Sequence, residues 1–243
     1  MHLAHTTLAA GVAFLLATPA SALKNPDAVG ACDPTTGGTN ACGPNGSQHW
    51  LNNGLRAKGW DPPFLAWHNI SRISIRQFYR AAGSPCEKFD SHFKIAAMKY
   101  QIDPAPLAFM AMQESGCDPN ARAPTLGLMQ CLPVYCQNGK SSCQFPIQDN
   151  VECAAYLWAV AMRHAKGNVV HALGLYNGWF TANDGSGLDG GRGMTEKYPC
   201  SEEGRTHRIP HNLNYLHEML NGWFQGHDMN NKDQHLRGSY NCF

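Results

Sequence analysis

Ten cysteines constrain the fold of this 243-residue chain more than any other feature. They all follow residue 22, and they are Cys32, Cys42, Cys86, Cys117, Cys131, Cys136, Cys143, Cys153, Cys200 and Cys242. An even cysteine count in a secreted chain predicts a framework of up to five disulfides, whose pairing the sequence does not reveal. Metal binding is the alternative, but the chain has no paired CxxC motif. We therefore expect no metal site, and we expect no cofactor.

Residues 1–22 have the pattern of a secretory signal peptide. An apolar run from Leu8 to Ala17 leads to Ala20-Ser21-Ala22, a small-x-small cleavage pattern. The segment before the run has no Lys or Arg, only His2 and His5. We expect a secreted, extracellular protein. No other apolar run approaches the ~18 residues that a membrane span needs, so we expect no span.

Helical periodicity dominates the rest of the chain. Helices are predicted over Ser71–Ala82, Asp90–Gln101, Ile147–Lys166, the stretch after the cap residue Asn168, and Asn212–Leu220. No strand pattern persists. The segment from Leu23 to Pro63 is rich in Gly, Asn and Pro and reads as an irregular arm stapled by Cys32 and Cys42. These patterns predict a mainly α fold with a disulfide-stapled N-terminal arm.

One further predicted helix carries an acidic residue, Glu114, in its last turn. Asp103 is its expected N-cap and Pro104 its first residue, and an apolar stripe runs through Leu107 to Glu114 before Gly116 ends it. Burial raises the pKa of a carboxyl group, and the negative end of the helix dipole also favours the protonated form. Glu114 is therefore a candidate general acid. The alternative is a chance acidic residue in a fraying last turn.

Several short motifs, in order, resemble the soluble lytic transglycosylase family, relatives of goose-type lysozyme. The three main motifs are Glu114-Ser115-Gly116, Gly127-Leu128-Met129-Gln130 and Leu175-Tyr176-Asn177-Gly178. Four further pieces also match: Tyr100 to Pro104 before the first motif, Asn150-Val151 and Tyr156-Leu157 between the second and third, and Asn212 to Leu220 after the third. The resemblance runs from about Cys86 to Leu220. It implies a lysozyme-like helical catalytic domain over 86–220, after an arm and first helix at 23–85 and before a tail at 221–243.

The resemblance also implies site residues and a mechanism. Glu114 is the implied catalytic residue, which protonates the linking oxygen and then takes the proton of the muramoyl 6-hydroxyl. The implied substrate-binding residues are Ser115, Met129, Gln130, Tyr176 and Asn177. Tyr176 is expected to hydrogen-bond either Glu114 or the glycan. Ser115 has a plainer alternative, a hydroxyl bonded to the backbone at the end of a helix.

A second carboxylate would favour hydrolysis over transglycosylation. Between Glu114 and Gln130 the only acid is Asp118, which argues for transglycosylation. The long insert after Asn177 carries further acids that could reach the substrate: Asp184, Asp189 and Glu196. Each is more often a solvated loop charge.

The leading hypothesis is a secreted, monomeric enzyme that cleaves the β-1,4 linkage of peptidoglycan, by transglycosylation or as a muramidase. The alternatives are a hydrolase of a chitin-type glycan and a non-catalytic secreted glycan-binding protein of the same fold. In each case the partner is a polymeric amino-sugar glycan. The formal net charge of +1 does not favour nucleic acid. Asn45 and Asn69 lie in glycosylation acceptor patterns.

Overall fold

The structure is a computed structural model that describes residues 43–52, 62–122, 125–136, 143–177 and 214–230. Three groups of predictions lie outside these residues: the signal peptide at 1–22, the arm bearing Cys32 and Cys42, and the acidic insert with Asp184, Asp189 and Glu196.

The described residues are mainly helical, which confirms the predicted fold class. The α-helices are α1 (Gln48–Leu51), α2 (Ile75–Tyr79), α3 (Asp90–Tyr100), α4 (Ala105–Ser115), α5 (Ile147–His164), α6 (Val169–Tyr176) and α7 (Tyr215–His217). Short 3₁₀ helices cover Trp67–Asn69, Ser84–Phe89 and Pro133–Tyr135. Only isolated β-bridges occur in this part of the chain. None of its helices is both long and apolar enough to cross a membrane.

The last helical region is longer than predicted. α7 continues into a π-helical turn, Glu218–Gly222, and then a 3₁₀ turn, Trp223–Gln225. We call residues 215–225 the closing segment. Trp223 and Phe224 are buried in the core, so the segment does not end at Leu220 as expected. Apart from Glu218, every residue from 215 to 224 is buried, so the chain stays packed after the regular α-helix has stopped.

α4 lies at the centre of the molecule. Every residue from Ala105 to Met112 is buried, so the helix is covered on all sides and not only along the predicted stripe. It packs against α3, α5, the Ser84–Phe89 helix and the closing segment. A helix surrounded in this way positions its last turn firmly.

Local sequence signals set the helix ends. Asn168 caps α6, since its Oδ1 accepts the N–H of Val170, which confirms the predicted cap. α2 is shorter than the predicted Ser71–Ala82 because Ser74 and Gln77 form a capping box at its start. The chain then turns away by Gly83, whose α-carbon lies too close to the ring of Phe78 to carry a side chain.

Residues 43–52 dock against the closing segment. Asn45 N–H donates to Asn221 Oδ1 (2.9 Å), and Asn221 Nδ2 donates to Gly46 O (2.8 Å). The Asn45 side chain also bonds the backbone of Ser71, with its Oδ1 accepting the N–H (2.7 Å). Asn45 is therefore buried and hydrogen-bonded within the fold, so its acceptor pattern does not mark an accessible glycosylation site in the folded chain. Asn69 is half-buried.

The core crosses two of the expected domain boundaries. Leu51 and Phe78, from the expected arm and first helix, pack in the same cluster as the residues of 86–220. Trp223 and Phe224, from the expected tail, belong to it as well. These segments therefore contribute to one main hydrophobic cluster, and a small second cluster contains Cys131, Cys143, Cys153 and Leu157.

Three disulfides join the six described cysteines. They are Cys86–Cys117, Cys131–Cys153 and Cys136–Cys143. Cys86 and Cys117 are buried beneath the end of α4, while Cys131 and Cys153 connect the loop after Gln130 to α5. Three of the up to five predicted disulfides are therefore present among the described residues.

Candidate active site

Glu114 lies in the last turn of α4. Gly116 ends the helix in the left-handed region (φ 65°), as predicted. Cys117, also at positive φ (61°), then ties the chain to Cys86. The other end of α4 begins at Ala105, one residue later than expected, where Asp103 Oδ1 accepts the N–H of Ala105 (2.8 Å).

The half-buried carboxyl group of Glu114 accepts a hydrogen bond from Tyr215. The distance from the phenol oxygen to Glu114 Oε1 is 2.7 Å. Burial raises the pKa of Glu114 to about 7, and the bond from Tyr215 opposes this rise because it stabilises the carboxylate. Near neutral pH the group can therefore both give and take a proton.

Tyr176 does not make the bond to Glu114 that was one of its two expected contacts. Its hydroxyl donates to Met129 O (3.1 Å). The phenol still senses the Glu114 charge, which together with burial raises the pKa of Tyr176 well above its usual value. Tyr215 occupies the position expected of Tyr176. No local sequence pattern singles out Tyr215 for this role, since the contact joins residues 101 positions apart.

A tight loop carries the second motif beside α6. Reciprocal backbone bonds between Leu126 and Cys131 (3.2 and 3.0 Å) close it, and we call residues 126–131 the 126–131 turn. Gly127 has φ 76°, and a Cβ there would lie 3.0 Å from the side chain of Asn150. The turn therefore needs glycine at this position.

Asn150, buried in the first turns of α5, holds the 126–131 turn from below. Its Oδ1 accepts the N–H of Met129 (2.8 Å) and its Nδ2 donates to Leu126 O (2.9 Å). Sequence reasoning used Asn150 only to support the family resemblance. A fully buried asparagine with two backbone partners is a structural anchor for the turn.

The predicted substrate-binding residues on this turn have roles within the fold. The amide of Gln130 donates to Gly127 O (2.9 Å) and accepts from the hydroxyl of Thr125. The side chain of Met129 is fully buried, a position suited to supporting the turn rather than touching a glycan. Gln130 remains half-buried.

Ser115 joins α4 to the same turn. Its hydroxyl lies 2.7 Å from Leu128 O and 3.1 Å from Ala111 O, and its oxygen accepts the N–H of Asp118 (3.1 Å). These contacts correspond to the plainer of the two interpretations of this serine. They set the distance between the end of α4 and the 126–131 turn.

The two remaining candidate residues, Asn177 and Asp118, lie at the edge of the candidate site. Asn177 ends α6, and its Oδ1 is buried with no hydrogen-bond partner among the described residues. Asp118 is exposed, and its carboxylate accepts the N–H of Asn120 (2.9 Å) within its own turn. Asp118 is therefore not arranged as a partner for Glu114.

One group of sulfur atoms has the spacing of a metal site. The Sγ atoms of Cys131, Cys143 and Cys153 lie within 4.8 Å of one another. Each is bonded in a disulfide, so none is a thiolate that could bind a metal ion.

Residues 91–184 match the family model of the transglycosylase SLT domain. This part of the chain is similar to that domain. The match confirms the family resemblance and supports, in general terms, a glycan-cleaving function of the lytic transglycosylase type. The match includes Glu114, the 126–131 turn and Tyr176, whereas Tyr215 lies beyond it. No solved structure matches the chain.

Proposed function

We propose that this SLT-domain protein is a secreted lytic transglycosylase that cleaves the β-1,4 linkage between muramic acid and glucosamine in peptidoglycan, with Glu114 as general acid and then base. The observation that supports this most is the state of Glu114. Its carboxyl group is half-buried at the end of α4, has a pKa of about 7 and accepts a bond from Tyr215.

The proposed reaction uses the same carboxyl group twice. Protonated Glu114 gives its proton to the glycosidic oxygen as the C1–O bond breaks, and positive charge develops on the sugar ring. The carboxylate then takes the proton of the muramoyl 6-hydroxyl, whose oxygen bonds to C1 and closes an anhydro ring. Glu114 is protonated again, and no water is consumed.

The surrounding groups support this cycle. The Tyr215 hydroxyl stabilises the carboxylate between the two steps, since a hydrogen bond to the charged form favours it. We assign direct contact with the glycan to Tyr176, Asn177 and Gln130, all half-buried, and supporting positions to Ser115 and Met129.

Hydrolysis of the same bond, or of a chitin-type glycan, is the competing activity. It would use a second carboxylate to activate water. Asp118 is bonded within its own turn, which favours transglycosylation. The acids of the insert after Asn177 are the remaining candidates for that role.

Digestion of purified peptidoglycan and chitin, with mass analysis of the products, tests the proposal. We expect anhydromuramoyl products, lighter by one water than hydrolysis products, from peptidoglycan. Glu114→Gln should lower the rate roughly 10²- to 10⁴-fold, the usual contribution of a general acid. Glu87→Gln, which changes an exposed glutamate, is the control.

Three outcomes would reject the proposal. Reducing-end muramic acid or chitooligosaccharides would indicate a hydrolase. Full lytic activity in the purified Glu114→Gln variant would remove Glu114 from the reaction, and glycan binding without any cleavage would indicate a non-catalytic protein.

A further inference from the structure

The closing segment forms hydrogen bonds with two consecutive residues at the end of α4, Gln113 and Glu114. The Tyr215 hydroxyl donates a hydrogen bond to Glu114. Gln113, the residue before Glu114, forms hydrogen bonds through both the nitrogen and the oxygen of its amide. Gln113 Nε2 donates to Glu218 Oε2 (3.0 Å), and the indole N–H of Trp223 donates to Gln113 Oε1. None of these contacts is local, since each joins positions more than 100 residues apart.

The three contacts restrict the same motion. Tyr215 and Glu218 lie three residues apart on consecutive turns, so they face the same side of the closing segment. Trp223 is buried, which fixes the second partner of Gln113. A rotation of the last turn of α4 that moved Glu114 away from Tyr215 would also break the bonds of Gln113.

We propose that Glu218 is a positioning residue, which holds Gln113 together with Trp223 and thereby keeps Glu114 at hydrogen-bond distance from Tyr215. This inference rests on the proposed function, because it assigns Glu218 to the support of the catalytic carboxyl group.

The titratable groups around Glu114 distinguish the positioning role of Glu218 from a direct electrostatic effect of its charge on Glu114. Among the described residues, the titratable groups that interact with Glu114 are Tyr215 and Tyr176. Glu218 interacts with Tyr215 and, with the other neighbours, raises the pKa of that phenol. An effect of Glu218 on Glu114 should therefore travel through the geometry of the Tyr215 bond.

Titration of the Glu114 carboxyl carbon by ¹³C NMR, in the full chain, tests the inference without relying on activity. The Glu114 signal is assigned by its absence from Glu114→Gln. Glu218→Ala should raise the midpoint by roughly 0.5 to 1 pH unit, because a loosened bond from Tyr215 stabilises the carboxylate less. Glu218→Gln keeps an acceptor oxygen for Gln113 and should keep the midpoint.

A double-mutant comparison completes the test. In a Tyr215→Phe background, Glu218→Ala should add no further shift, because the bond that it supports is already gone. The alkaline limb of kcat/KM should move with the midpoint in the single variant. Glu87→Ala is the control for loss of a carboxylate elsewhere on the surface.

Three results would overturn the inference: an unchanged midpoint in folded Glu218→Ala, an equal shift in Glu218→Gln, or additive shifts in the double variant. If Glu218→Ala does not fold, Gln113→Met breaks the same bond from the other side and is judged by the same criteria. Activity in Glu114→Gln would instead reject the proposed function and leave the titration result standing.

Discussion

Two opposing influences set the protonation of Glu114. Burial favours the neutral acid and Tyr215 favours the carboxylate, so the pKa of about 7 is a balance between them. Tyr215→Phe removes the opposing influence and should raise the pKa of Glu114 further. Since the first step needs the protonated acid, the alkaline limb of kcat/KM should move to higher pH, by about one unit for a lost charge-assisted hydrogen bond. A pH–rate profile measures the shift, and an alkaline limb that stayed in place or moved to lower pH would contradict it.

Because its pKa is raised in the folded protein, Glu114 lowers the free energy of unfolding above neutral pH. Its pKa rises from 4.5 to about 7, so the folded protein retains a proton that the unfolded chain releases between these values. Stability from this group is fully present below pH 4.5 and is lost as pH rises through 7. Glu114→Gln should therefore be more stable than the parent by on the order of 2–3 kcal/mol at pH 8.

Urea unfolding at pH 4.5 and pH 8 measures that difference. The gain from Glu114→Gln should be small at the lower pH and appear at the higher one, whereas Glu87→Gln should show no such trend. A gain that did not depend on pH would mean that Glu114 is not held in a desolvated position.

At the scale of elements, the 126–131 turn depends on one side chain of α5. Asn150→Ala leaves the N–H of Met129 without its partner, while the carbonyl of Leu126 keeps only the bond from the N–H of Cys131, which should cost about 1–3 kcal/mol of unfolding free energy. Glycan cleavage should fall more steeply than stability alone explains at a temperature where the variant is folded. The exposed Asn120→Ala is the matched control. Equal activity in the two folded variants would show that the geometry of the turn is unimportant for catalysis.

Elements defined by local signals could be predicted from the sequence. Gly116 and Asn168 mark helix ends because the αL conformation and the cap bond involve only neighbouring residues. The Tyr215 bond to Glu114 could not, because no local pattern links residues 101 positions apart. The acceptor pattern at Asn45 likewise carries no information about the residues that bury its side chain.

At the scale of the whole molecule, the first and last described segments of the chain pack against each other. Residues 43–52 and the closing segment meet through Asn45 and Asn221, beside the face that carries Tyr215. The contacts that set the Glu114 pKa are therefore supplied by the last part of the core. Periodicity predicted the longer helices but placed the end of the last one at Leu220, because the π-helical turn has no regular 3.6-residue period.

A comparison of two truncated chains tests that dependence. A chain ending after Leu220 loses Trp223 and Phe224, two fully packed aromatic side chains, each worth about 3–5 kcal/mol when removed from a core. That loss approaches the total stability of an ordinary domain, so this chain should not fold cooperatively. A chain ending after Asn230 keeps the described core, and both chains lose Cys242, so their difference isolates residues 221–230. Thermal unfolding by circular dichroism distinguishes them, and a cooperative transition in the shorter chain would show that the core closes without Trp223.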